Sequence, residues 1–208
     1  QLPSSSINFA ANPSVRWEKT GVLNFGLDFA VLNRRLSGSI ELYRKYSRDL
    51  FADYTINPIF GANASSSYTL SRNAAKVNGK GIDLALNGVI VQKGDFRYDA
   101  KLTYSYNINE VISSPYEMSP YFYSSGGGSG RMLEGYNMNN FWAYRWAGLD
   151  ENGDSQIYNA DGDIVKSTES VTNDDLVYVG TLTPKYFGGF FNTFSYKGLS
   201  LYVGITYK

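Results

Sequence analysis

Hydrophobic and polar residues alternate with period two along most of this chain, and helical periodicity is almost absent. From Gly21 the odd positions run Leu23, Phe25, Leu27, Phe29 and Val31, with Asn24, Gly26 and Asp28 between them. After Asn33-Arg34-Arg35 the pattern restarts, with Leu36, Gly38, Ile40 and Leu42 on one face and Ser37, Ser39, Glu41 and Tyr43 on the other. Ile82, Leu84, Leu86, Gly88 and Ile90 then oppose Asp83, Ala85 and Asn87. Beyond the turn Gln92-Lys93-Gly94-Asp95 lies the clearest stretch. Phe96, Tyr98, Ala100, Leu102, Tyr104, Tyr106 and Ile108 alternate without a break against Arg97, Asp99, Lys101, Thr103, Ser105 and Asn107. An aromatic and less regular segment, Tyr186 to Tyr196, turns at Lys197-Gly198 into Leu199, Leu201, Val203, Ile205 and Tyr207. The pattern predicts six strands arranged as three hairpins.

The connections alternate as well. Three are short turns, and the two between hairpins are long, roughly Phe51 to Lys76 and Asn109 to Lys185. Structureless loops beyond about 12–15 residues are uncommon in soluble domains. Membrane barrels carry short turns at the periplasmic rim and long loops at the extracellular one. The strands exceed the common soluble length of about 5–6 residues and reach the roughly 9–11 that a tilted strand needs to cross a bilayer. The expectation is therefore an all-β fold: an antiparallel, up-and-down transmembrane β-barrel segment of about six strands, with long extracellular loops. The alternative is a soluble or surface-exposed β-rich binding module or adhesin, with one sheet face packed on a core.

Composition sharpens this picture. The 208 residues include 18 Tyr, 12 Phe and 21 Gly, but no Cys and no His. Disulfides, thiolate metal sites, Ser-His-Asp chemistry and His-zinc chemistry are excluded. The 19 basic and 19 acidic residues cancel, and nothing points to a nucleic-acid partner. No run of about 18 apolar residues occurs, which excludes a transmembrane helix but not a barrel, whose strands hide their hydrophobicity by alternation. Six strands fall short of the roughly eight in the smallest single-chain barrel. Together with an opening Gln1-Leu2-Pro3 that carries no signal pattern, this leads us to expect that residues 1–208 are a partial C-terminal barrel domain of a longer protein.

Several blocks resemble a known family. Asn12-Pro13-Ser14-Val15-Arg16-Trp17-Glu18-Lys19-Thr20 with Asn24 to Phe29, Arg35 to Ser39 followed by Tyr43-Arg44-Lys45 and Asp49-Leu50, and Asn73 with Val77 to Asp83 occur in order. So do Gly148-Leu149-Asp150, Gly180 to Phe190, and Asn192 to Tyr196. The ordered set resembles the SusC/RagA-type TonB-dependent outer-membrane transporters, with Gly79-Lys80 departing from the usual residues of that strand. The resemblance implies a plugged barrel of the roughly 22-stranded kind, in the outer membrane of a Gram-negative bacterium. It also implies several partners: a SusD-type surface lipoprotein, TonB (through an N-terminal part outside this chain), outer-membrane lipid, and a glycan or peptide cargo. No enzymatic activity is expected.

Candidate chemistry lies in the second long connection. Tyr121, Tyr123, Tyr136, Trp142, Tyr144 and Trp146 could meet substrate or partner, since aromatic faces stack on sugar rings and fill pockets; alternatively they pack the loop on itself. The glycine run Ser124 to Gly130 lacks a Gly-Lys-Ser/Thr ending and is not a phosphate loop. Asp150, Asn152 and Asp154 space oxygen ligands as a calcium loop does, yet Gly153 comes two residues early and Asp161 stands where Glu is usual. The same Asn-Gly and Asp-Gly pairs are strong hairpin-turn signals. No other cofactor is implied.

Overall fold

The computed structural model describes residues 12–55, 69–116, 132–166 and 172–208. Its strands are β1 (Lys19–Val31), β2 (Leu36–Thr55), β3 (Thr69–Lys93), β4 (Phe96–Ser113), β5 (Asn140–Leu149), β6 (Ser155–Tyr158), β7 (Ile164–Lys166), β8 (Leu176–Thr181), β9 (Tyr186–Tyr196) and β10 (Leu199–Tyr207). One sheet has the order β1-β2-β3-β4-β9-β10, so every neighbour but β4-β9 is sequential; a smaller sheet has the order β7-β6-β5-β8. The chain is a segment of an antiparallel, up-and-down transmembrane β-barrel, and all six strands expected from alternation are present.

Two expectations are corrected. The described parts of the first long connection are strand, because β2 runs for 20 residues to Thr55 and β3 for 25 residues from Thr69, with residues 56–68 outside the described residues. Strand pairing continues past the segment that alternates, into Arg44 to Arg48 and Arg72 to Lys76, where both faces are polar enough to erase the period-two signal. The second connection is not structureless either, for β5 to β8 lie inside it.

The turns follow their local chemistry. Leu32, Asn33 and Arg34 all have positive φ, and the turn closes with Arg35 N donating to the Leu32 carbonyl. Gly94 sits at φ 56. Lys197 and Gly198 both have positive φ, the condition of the two-residue hairpin turn whose twist matches that of its strands.

The chain forms two compact units. The first holds residues 21–46, 78–109 and 183–208. Its register sorts side chains into two faces. Across β4, β9 and β10 the rows Phe96-Tyr196-Leu199, Tyr98-Phe194-Leu201, Ala100-Asn192-Val203, Leu102-Phe190-Ile205 and Tyr104-Gly188-Tyr207 share one face. Most of these apolar side chains are exposed, as are Leu23, Phe25 and Leu27 on β1. A soluble sheet does not leave so large a face bare, and lipid is the solvent that suits it. Stacked Tyr98 and Phe194 (centroids 4.5 Å apart) and the Tyr106–Tyr186 pair (5.0 Å) band this face at two heights. Eight residues separate Tyr98 from Tyr106 along β4, roughly 27 Å at strand rise, which suits aromatic girdles at two membrane interfaces.

One residue breaks the alternation for a visible reason. Asn192 falls on the apolar face, yet it is buried, and its Oδ1 accepts a 2.7 Å hydrogen bond from the Tyr98 hydroxyl. Phe187 and Phe191 take the opposite, polar face, which is why this strand reads as irregular. Glycines admit two close approaches: a Cβ at Gly81 would meet the Tyr43 ring, and one at Gly188 the Thr103 carbonyl.

The second unit, described by itself, includes residues 47–55, 69–77, 110–116 and 132–166 and the segment 172–182. Arg16 to Glu18 are tied here to β2 and β3. Arg16 Nη2 reaches Asp49 Oδ1 at 2.7 Å, Asn73 exchanges hydrogen bonds with the Arg16 backbone, and Phe51 N donates to Glu18 Oε1. Trp17 between them is 87% exposed, as an interfacial anchor would be.

Candidate functional site

The small sheet, β7-β6-β5-β8, carries the site predicted in the second connection. Its core is Leu133, Trp142 and Leu176, with Tyr116, Tyr136 and Tyr144 packed against it. Tyr136 meets Trp142 edge-on at 4.8 Å, and Tyr178 lies 5.2 and 5.4 Å from the two rings. Fully buried Asn140 accepts the Trp142 indole N–H (2.9 Å) and donates to the Asn137 carbonyl. Asn137 Oδ1 in turn accepts from Asn139 N and the Thr181 hydroxyl. The end of β4 joins this core, with Val111 N donating to the Tyr136 carbonyl and Gly135 N to that of Val111.

The six aromatic candidates therefore separate. Tyr136, Trp142 and Tyr144 build the mini-core, and the indole of Trp142, 6% exposed, offers no face to a ligand. Trp146 is 61% exposed, four residues along the same strand beyond the reach of that core. A bulge between Trp146 and Gly148, with Gly148 at φ 103, turns the strand there. Tyr121 and Tyr123, and the glycine run beside them, lie outside the described residues. Tyr178, the third ring of the cluster, was not singled out from sequence, since nothing in the spacing joins β8 to β5.

Asp150, Asn152 and Asp154 form the turn between β5 and β6. Asp150 Oδ1 accepts from the backbone N–H of Asn152 and of Asp154, both at 2.9 Å, and Gly153 takes φ 85. Lys166 Nζ stands between the carboxylates, 2.8 Å from Asp150 Oδ2 and 2.9 Å from Asp154 Oδ2. An ammonium thus stands between the two carboxylates, and the Asn-Gly pair forms a hairpin turn. No group of three or more acidic, His or Cys side chains suited to a metal occurs among the described residues. The lysine and the turn amides hold the Asp150 carboxyl down to about 2, and the two carboxylates raise Lys166 above the usual ammonium range. Asn159-Ala160-Asp161-Gly162-Asp163 repeats the same turn between β6 and β7, with Asp163 N bonded to Asn159 Oδ1. Asp175 fixes the outer segment by accepting from Ala160 N, Thr172 N and the Thr172 hydroxyl, bonds that lower its pKa.

The first unit contributes a different surface. On its polar face Tyr43 accepts from Asn107 Nδ2 (2.8 Å), and Asn24 reaches Glu41. Near the short turns this face is hollowed into a concavity of about 570 Å³ bordered by Arg34, Arg35, Arg97, Asp99 and Lys101.

An antiparallel sheet with one bare apolar face, one polar and hollowed face, and tight turns places the chain in the class of transmembrane β-barrels of the outer-membrane type. The particular barrel it matches is that of the SusC/RagA-type TonB-dependent transporters. The chain is 30% identical over 159 residues to the TonB-dependent receptor SusC of Bacteroides thetaiotaomicron, a match covering 72% of this chain and 15% of SusC. It is 27% identical over 207 residues to a TonB-dependent receptor of Formosa agariphila, covering 91% of this chain and 20% of that protein. Among solved structures, the RagAB peptide importer in its open-open state superposes with a TM-score of 0.76 at 27% identity over 97% of this chain and 22% of that one; the closed-closed state gives 0.73 at 29%. No protein-family profile matches the chain. The chain spans about a fifth of the length of the curated relatives it matches. These relatives are named as receptors and transporters, none as an enzyme.

Proposed function

We propose that this chain is barrel wall from an outer-membrane nutrient importer of a Gram-negative bacterium, energised through TonB and capped by a SusD-type surface lipoprotein. The carrying observation is the match to a peptide importer over 97% of the chain, in a sheet whose one face is apolar and bare. In a bilayer the open edges β1 and β10 need pairing strands, because an unpaired backbone group in hydrocarbon costs several kcal/mol. The cargo is a glycan or a peptide, the peptide favoured by the RagAB likeness. Trp146, the exposed member of the aromatic set, meets the lipoprotein or the cargo.

The test is disruption of the full-length gene, with complementation by wild type or Trp146→Ala. Loss of growth on particular peptides or glycans, with growth on simple sugars unchanged, is the expected result, and wild type should restore it. Trp146→Ala should restore a folded barrel that co-purifies with less lipoprotein. Unimpaired uptake of every peptide and glycan tried would sink the reading.

A further inference from the structure

Four cationic side chains gather in one place on the polar face of the six-stranded sheet. The concavity near the short turns takes Arg34 and Arg35 from the β1-β2 turn and Arg97 and Lys101 from β4, against the single carboxylate of Asp99. Arg97 and Asp99 satisfy each other in a two-pronged pair, Nε to Oδ2 at 2.6 Å and Nη2 to Oδ1 at 2.8 Å. Arg34, Arg35 and Lys101 have no carboxylate within ion-pair distance among the described residues. Three cations without an ion-pair partner among the described residues therefore border one hollow. Guanidinium forks match a planar, two-oxygen anion, and bonds between charged partners are about twice as strong as neutral ones.

Part of the lining is uncharged. Phe191 and Tyr202 lie there as a stacked pair, centroids 6.1 Å apart and 12° between planes. Both side chains sit on the polar face, where a wall built only to be wet would not put them. A small inorganic anion would use the arginines and leave this aromatic surface idle. An organic acid, with a carboxylate on an apolar or ring-shaped body, would use both.

We propose that this concavity is a subsite for a carboxylate carried by the cargo, such as an acidic side chain or C-terminus of a peptide or the acid group of a uronic sugar. The proposal rests on the importer reading and names the kind of cargo that reading leaves open. The subsite lies at the end of the sheet that bears the short turns, which in an outer-membrane barrel is the periplasmic end, so it acts on cargo leaving the lumen.

The test uses the full-length transporter and a matched ligand pair: an Asp/Glu-containing peptide with a free C-terminus, and its Asn/Gln counterpart with an amidated C-terminus. Uptake and affinity are measured for wild type, the double variant Arg34→Gln/Arg35→Gln, and Lys101→Gln, each checked for a folded barrel by heat-modifiable gel migration. Wild type should prefer the acidic peptide, and each variant should lose about ten-fold on it while handling the amide form as before. Equal losses on both peptides, with lowered thermal stability, would overturn the proposal by showing that the cations hold an acidic segment of the transporter itself. No change with either peptide would overturn it outright. If wild type imports neither peptide nor any glycan, the importer reading has failed, and the subsite falls with it.

Discussion

At the scale of single residues, the most informative contact is the hydrogen bond from the Tyr98 hydroxyl to Asn192, because it lets a polar amide stand on the lipid-facing side of β9. Without that donor the amide oxygen would be buried and unpaired, a state costing about 1–3 kcal/mol. Tyr98→Phe is expected to destabilise the barrel by that amount in reversible urea unfolding from lipid, while Tyr104→Phe, whose cross-strand neighbour is Gly188, leaves the midpoint unchanged. The two tryptophans of β5 show the same dependence on surroundings. Trp142 and Trp146 are alike in sequence context, four positions apart on one strand, and only the packing of Leu133, Leu176 and Tyr136 separates a core residue from a surface one.

At the scale of elements, the acidic turn between β5 and β6 is held by charge. Asp150 has its folded-state pKa lowered from 3.8 to about 2, so its contribution to the turn is present in full above 3.8 and is lost as pH falls through about 2. Hydrogen exchange at the Asn152 and Asp154 amides, corrected for intrinsic rates, is expected to stay constant from neutral pH to about pH 4 and to rise as pH approaches 2. Lys166→Gln should move the onset of that rise upward, towards the ordinary carboxylate range. The turns, Asn33-Arg34-Arg35 and Lys197-Gly198 among them, were legible in the sequence because turn chemistry is local. The upper halves of β2 and β3 were not. Residues such as Arg44, Arg48 and Arg72 are held in strand by pairing with neighbours far along the chain, and pairing leaves no periodic mark when both faces are polar. The four strands inside the second connection were hidden for a related reason: β6, β7 and β8 are brief, β5 is bulged at Phe141/Trp142 and Trp146/Gly148, and the set is assembled around a core contributed by separate segments.

At the scale of the whole molecule, the barrel wall depends on which side meets lipid. Leu102 lies midway along the alternating part of β4, on the row with Phe190 and Ile205. Leu102→Arg is expected to cost about 2–4 kcal/mol of folding free energy in bilayers, while Thr103→Arg, on the polar face, should cost little. Equal effects of the two would contradict the facing. The period-two pattern determined this much by itself, since alternate side chains of any extended strand point to opposite sides whatever lies next to them. Sequence thus pointed to the barrel class and determined the three hairpin turns and the apolar and polar faces. It left the loop aromatics open between ligand and core, and the acidic turn open between calcium and hairpin. Only the tertiary structure decided that Trp142 is core while Trp146 is surface, and that Arg34, Arg35 and Lys101 border one hollow. Each of these depends on residues distant in the chain being brought together, and local alternation carries no information about which distant partner that will be.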